Sequence, residues 1–155
     1  KKKTASLISS CCEAGAISVG DSENRERMKV FGEYVGMAFQ IKDDIFDYGS
    51  SEKIGKPTGN DIRENKMTLP IIYALNHASD ADRRRLMDII KNHNNNSKKI
   101  SEAINIVVQA GGILYAEKIM LEFASKAIDL IAEFPNSASK NALEELVNFT
   151  MKREN

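Results

Sequence analysis

From Glu23 to Tyr48 the sequence reads as one long helix, longer than the average globular helix, and its second half is apolar apart from a single polar stripe. A helix turns about 100° per residue, so Asp43, Asp44 and Asp47 all fall within about 60° of Gln40. Gly36 lies a turn below on the same face, while Ala38, Ile41 and Ile45 point elsewhere. A helix this apolar on its remaining sides must be covered by neighbours. The rest of the chain offers helices for that purpose. Strand-type alternation is hard to find, there is no Trp, and proline occurs only at Pro57, Pro70 and Pro135. The fold is therefore read as all-α.

The flanking helices follow from apolar spacing and their end signals. Ala5, Ile8, Cys12, Ala16 and Val19 mark a helix from Thr4 to Val19, stopped by Gly20, and Asp21 or Ser22 is placed to cap the next one. Thr68 reads as an N-cap with Pro70 in the first turn, opening a short helix to His77. Ser79 and Asp82 form a capping-box-like start for a helix to Lys91. Asn94 to Asn96 read as a turn, after which Ser97 caps a helix ending near Gly111 and Gly112. A long amphipathic helix is expected over Ile113–Phe134, stopped by Pro135, and a last one over Ser139–Arg153. Residues 49–67 show no clear periodicity, and a loop that long in a compact domain is usually functional or disordered.

The length of 155 residues fits one domain. With 22 Lys and Arg against 22 Asp and Glu, the chain has no cationic surplus with which to neutralise phosphates, so a general nucleic-acid binder is excluded. No stretch approaches the roughly 18 apolar residues of a membrane span, so a membrane protein is not expected. Cys11 and Cys12 are adjacent and cannot staple distant elements; they read as buried helix packing in a reduced, cytoplasmic setting.

Three carboxylates within one helical turn repel one another unless a cation is present. Mg²⁺ suits the pattern, because it takes a few carboxylates and shares its other positions with water and substrate phosphates. The plain alternative is a solvated acidic face. The segment that follows supplies the opposite charge: Lys56 in Gly55-Lys56-Pro57-Thr58-Gly59, then Asp61 and Lys66. Lysines beside a metal–carboxylate cluster make a diphosphate clamp; read plainly, they are ordinary surface lysines. The segment is no P-loop, since its glycine spacing is wrong and no strand precedes it. Lys3 and Thr4 open the first helix, where free N–H groups favour anions.

Three segments together resemble the trans-isoprenyl (polyprenyl) diphosphate synthases, with the bacterial octaprenyl-type enzymes as the nearest subgroup. They are Lys3-Thr4-Ala5-Ser6-Leu7, then Gly32 through Gly36, Ala38, Phe39, Gln40 and Ile41 to Asp43, Asp44 and Asp47, then Gly55 and Lys56 through Gly59, Asp61, Ile62, Glu64 and Lys66 to Thr68, Leu69 and Pro70. The resemblance implies a helical bundle of the isoprenoid synthase type. It also implies a Mg²⁺-dependent prenyltransferase that joins isopentenyl diphosphate to an allylic diphosphate. On this reading Asp43 ligates Mg²⁺, with Asp44 and Asp47 supporting directly or through water and Asp61 in the outer shell. Lys3, Lys56 and Lys66 serve the diphosphate, while Thr4 and Gln40 line the reacting end.

Family members carry two aspartate-rich motifs, and the one here looks like the second. Together with a first residue that is not Met, this leads to the expectation that residues 1–155 are the C-terminal half of a synthase, a half-bundle inactive alone. Its uncovered apolar surface would then make it a dimer or higher oligomer. Two other classes are weighed. A non-catalytic helical subunit of a heteromeric synthase is disfavoured by the intact Asp-Asp-x-x-Asp motif. A class I terpene cyclase is disfavoured because Asn60-Asp61-Ile62-Arg63-Glu64 lacks the hydroxyl its metal motif needs.

Overall fold

The computed structural model of the chain describes residues 4–49 and 58–153. Among the described residues are eight helices and no strand: α1 (Thr4–Ser18), α2 (Arg25–Phe46), α3 (Asn60–Arg63), α4 (Leu69–His77), α5 (Asp80–Asn92), α6 (Ser97–Gln109), α7 (Gly112–Ile131) and α8 (Ala138–Lys152). The all-α expectation holds. No single helix is long and apolar enough to cross a membrane. Residue contacts divide the chain into two units, one of Lys1–Lys42 with Ile119–Asn155 and one of Asp43–Lys118.

In the first unit, Phe31, Val35, Ala124, Ala127, Ile131 and Val147 form the core. α1 runs against α2 at close range. A methyl group at Gly32 would stand 2.7 Å from both the Ile8 carbonyl oxygen and the Ser9 Cα, and one at Gly36 would overlap Ala5. Ser9 Oγ adds a hydrogen bond to the Lys29 carbonyl at 2.8 Å. Ala5 meeting Gly36 while Ser9 meets Gly32 means the helices are antiparallel, and that register carries the start of α1, where Thr4 stands, toward the Gln40 end of α2. Beyond the end of α8, the Arg153 guanidinium lies 3.8 Å from the centre of the Phe39 ring and donates to the Phe39 carbonyl at 3.2 Å.

The second unit is built on Ile62, Ile71, Leu86, Ile89, Ile90, Ile100, Ile106 and Val107, with Tyr48 packed against them. Gly112 lets α7 begin beside α4, since a Cβ there would sit 2.5 Å from the Pro70 carbonyl.

Several helix ends differ from the sequence reading, each for a hydrogen-bonding reason. α2 starts at Arg25 because Asp21 takes the Asn24 N–H at 3.1 Å and holds a turn before it. Asn96, not Ser97, caps α6, accepting from the Lys98 and Lys99 N–H groups at 3.0 and 3.3 Å. α7 stops at Ile131 rather than Phe134, and Lys140 Nζ takes the carbonyls of Ala132 and Phe134 at 2.6 and 2.9 Å. α8 begins at Ala138, capped by Ser137. The Ser79 cap is as expected: its Oγ accepts the Asp82 N–H at 3.1 Å and donates to the Asp82 carboxylate at 2.7 Å. Cys11 is exposed rather than buried. Leu7, Ile17, Leu114 and Leu121 are also exposed.

Candidate active site

α2 ends at Phe46, two residues earlier than its pattern suggested, and Asp47 turns onto the segment that returns at residue 58. Its Oδ1 accepts the Asn60 N–H and its Oδ2 the Asp61 N–H, both at 2.8 Å. Its backbone carbonyl accepts the Gly59 N–H at 2.9 Å. Three successive amides thus converge on one residue. The backbone makes this possible: Gly59 is left-handed (φ 78°) and Asn60 is helical, a sequence of conformations that aims consecutive N–H groups into a concavity suited to an anion. Only glycine fits, because a Cβ at Gly59 would also overlap the Ile100 side chain.

The four residues of α3 are too few to be stable alone. Ile62 is fully buried and anchors them, and Asn94 Nδ2 takes the Arg63 carbonyl at 2.8 Å at the far end. The segment read as aperiodic therefore contains a short helix fastened at both ends. Asp61 is held within it, and its carboxyl pKa is pushed up, first by burial and next by the charge of Asp47. Lys66 Nζ lies 2.6 Å from Glu64 and 3.3 Å from Asp61. Its pKa is raised, chiefly by the hydrogen bond to Glu64.

Tyr48 is partly buried against the core of the second unit. Burial drives its phenol pKa upward, and Asp47, Asp61 and Asp44 push in the same direction, while a hydrogen bond with Thr68 opposes them. The two hydroxyl oxygens are 3.4 Å apart. The sequence reading gave no site role to Tyr48 or Asn94, and named Thr68 as a helix cap and as part of the resemblance only. The signal for Tyr48 was available, since it lies four residues after Asp44 and so on the same helical face.

Of the residues singled out in the sequence, Asp43 is exposed and Asp44 half-buried in the last turn of α2, and Asp47, Asp61 and Lys66 come together around α3. Gln40 and Thr4 are half-buried and belong to the first unit. Lys3 and Lys56 lie outside the described residues. Among the described residues, no group of three or more His, Cys, Asp or Glu side chains is arranged to hold a metal. The stripe does not close into such a group, and Asp47 is turned onto backbone amides. Gly36, a turn below the stripe on the same face, receives Ala5 of α1. The donors at the end of α2 are all oxygens. They fit a hard cation that takes few protein ligands and completes its shell with water and phosphate oxygens.

The polyprenyl synthetase family profile matches residues 1–107. The chain belongs to the polyprenyl synthetase family. Within that family it is 38% identical to the short chain isoprenyl diphosphate synthase of Methanothermobacter thermautotrophicus over 155 residues, which is 99% of this chain and 47% of that protein. It superposes with a TM-score of 0.89 and 40% identity on the geranylgeranyl pyrophosphate synthase of Bacteroides thetaiotaomicron, over 98% of this chain and 50% of that one. A polyprenyl synthase from Caulobacter crescentus, in complex with calcium and isoprenyl diphosphate, also gives a TM-score of 0.89, at 32% identity over 99% of this chain and 47% of that one. The chain spans about half the length of these polyprenyl synthetase relatives.

Proposed function

We propose that this chain carries the acidic, diphosphate-holding side of a trans-prenyltransferase. The enzyme would extend an allylic diphosphate with isopentenyl diphosphate, giving a polyprenyl diphosphate of the octaprenyl type. The observation that carries this reading is the meeting of acidic and basic side chains just past the end of α2, where the Asp47 carboxylate accepts the Asn60 and Asp61 N–H groups and Lys66 Nζ lies 3.3 Å from Asp61. Family membership supports the reaction class.

Asp43 and Asp44 would hold Mg²⁺, with Asp61 in its outer shell. Bound there, the ion supplies charge neutralisation for the departing diphosphate. In the reaction the allylic C–O bond breaks and its electron pair leaves with the diphosphate. The π pair of isopentenyl diphosphate then forms the new C–C bond, and a proton is lost to restore the double bond. Lys3, Lys56 and Lys66 would bind the diphosphate oxygens. Thr4 and Gln40 would steady the allylic cation and the transferred proton, which would pass to the released diphosphate. The apolar faces of α1 and α2 would keep water from the cation.

Calorimetric titration with an allylic diphosphate, with and without Mg²⁺, tests the reading. Mg²⁺-dependent binding is expected in the native protein, weakened at least 100-fold in Asp43→Asn, more than the loss of a group acting behind the ligands. Binding that ignores Mg²⁺, or that survives Asp43→Asn unchanged, overturns it. A second reading, a subunit that supplies one face of a shared site, is favoured by the absence of a three-residue metal group among the described residues. Prenyl transfer that appears only on mixing with a second chain bearing facing carboxylates distinguishes it.

A further inference from the structure

We propose that Asp47 is a positioning residue for this site and not a metal ligand. Its carboxylate and carbonyl hold Gly59, Asn60 and Asp61, and through them fix where the Asp61 carboxylate stands. The inference rests on the prenyl-transfer reading for its consequence in catalysis, but not for its geometry.

Each Asp47 carboxylate oxygen receives its own amide at 2.8 Å, a length typical of charge-assisted hydrogen bonds. The third amide, from Gly59, reaches the carbonyl of the same residue. The concavity formed by Gly59 and Asn60 is thus filled from inside the protein. An ion approaching Asp47 would compete with two N–H donors already in place. The Asp61 carboxylate, by contrast, accepts no backbone amide of the clamp and meets Lys66 Nζ at 3.3 Å. The Asp61 backbone is what the clamp grips, since its N–H is given to Asp47 and its carbonyl receives the Lys66 N–H at 2.8 Å. Fixing both backbone groups aims the side chain. Asn94 at the other end of α3, and the fully buried Ile62 between, leave the helix no other seat.

The chemistry of the clamp requires a carboxylate. Two adjacent N–H donors need two acceptor oxygens, and asparagine brings only one, with an NH₂ group that would face the second donor. Asp47→Asn therefore separates clamp from ligand. In the metal-free protein, hydrogen exchange at the amides of Asn60 and Asp61 is expected to accelerate at least tenfold, while amides within α5 and α6 are unchanged. Mn²⁺ titration in the presence of inorganic diphosphate, followed by electron paramagnetic resonance, is expected to weaken about 10- to 100-fold, as for a group acting behind the ligands. Asp43→Asn should lose Mn²⁺ binding altogether.

Unchanged exchange at Asn60 and Asp61 in Asp47→Asn overturns the proposal. So does loss of Mn²⁺ as complete as in Asp43→Asn while both amides stay protected. If Asp43→Asn leaves Mn²⁺ binding intact, the functional reading of the stripe fails, and the clamp is still judged by amide exchange alone. Should Asp47→Asn not fold, the native protein decides: slow exchange at both amides without metal supports the clamp, and fast exchange overturns it.

Discussion

The backbone of Ala5 lies so close to Gly36 that no side chain can stand between them. The contact lets α1 dock on α2 at backbone range, and it gives one substitution opposite effects at two positions. Gly36→Ala should destabilise the protein by about 1–3 kcal/mol, because rigid backbone on the α1 side must move. Gly15→Ala, in α1 with nothing within 4 Å of its added methyl, should stabilise it by about 0.5–1 kcal/mol through helix propensity. Urea denaturation of the two variants checks both signs.

Acid should weaken the protein through Glu13. The Arg25 guanidinium, hydrogen-bonded at 2.7 Å, and the Lys29 ammonium at 3.7 Å hold its carboxyl pKa below the ordinary glutamate value. A carboxyl whose pKa is depressed by folding contributes stability above its unfolded value, about 4.3, and loses that contribution as pH falls through the folded value. The expected loss therefore begins near pH 4–5 and grows below it. Glu13→Gln should flatten that part of a stability-against-pH curve measured by thermal melting.

The start of α6 separates two readings of the same dipeptide. Asn96 accepts two amides there, while Ser97 is already helical. Asn96→Ala should cost about 1 kcal/mol and Ser97→Ala much less, as chemical denaturation can resolve.

Arg153 is held against α2 next to Gln40. Replacing it with Ala removes a guanidinium stacked on Phe39 and a hydrogen bond to the Phe39 carbonyl. A loss of about 1–2 kcal/mol is expected. Arg153→Lys should recover only part of it, since an ammonium does not stack as a plane. A denaturant series on the three proteins tests the order.

Most helices were legible because burial imposes a period that composition cannot hide. The stretch Thr4–Ser18 and the part of the stripe from Gln40 to Asp44 are examples, and both lie on helices as the pattern put them, while Asp47 falls just past the end of α2. What escaped reading are features made by single hydrogen bonds across the chain. α3 has no period to detect; it exists because Asp47 and Asn94 grip its two ends and Ile62 is buried. Asn96 and Ser97 are both good caps in the sequence, and only the geometry of the preceding turn chooses between them. For the site, the acidic residues were visible by their spacing on α2. That Asp47 faces backbone amides was not, because an aspartate that caps and one that ligates are the same letter.

Gly59 ties two kinds of interaction to one position. Its N–H feeds the clamp on Asp47, and its missing side chain admits Ile100. Any larger residue there pushes the polar and the apolar partner away together. A change at Gly59 and a change at Ile100 are therefore not independent in their effects. Trimming Ile100 should be harmful in the native background yet partly restorative in Gly59→Ala, where the left-handed backbone still exacts its strain. The two positions are coupled: the route from one tolerated combination to the other passes through a worse intermediate.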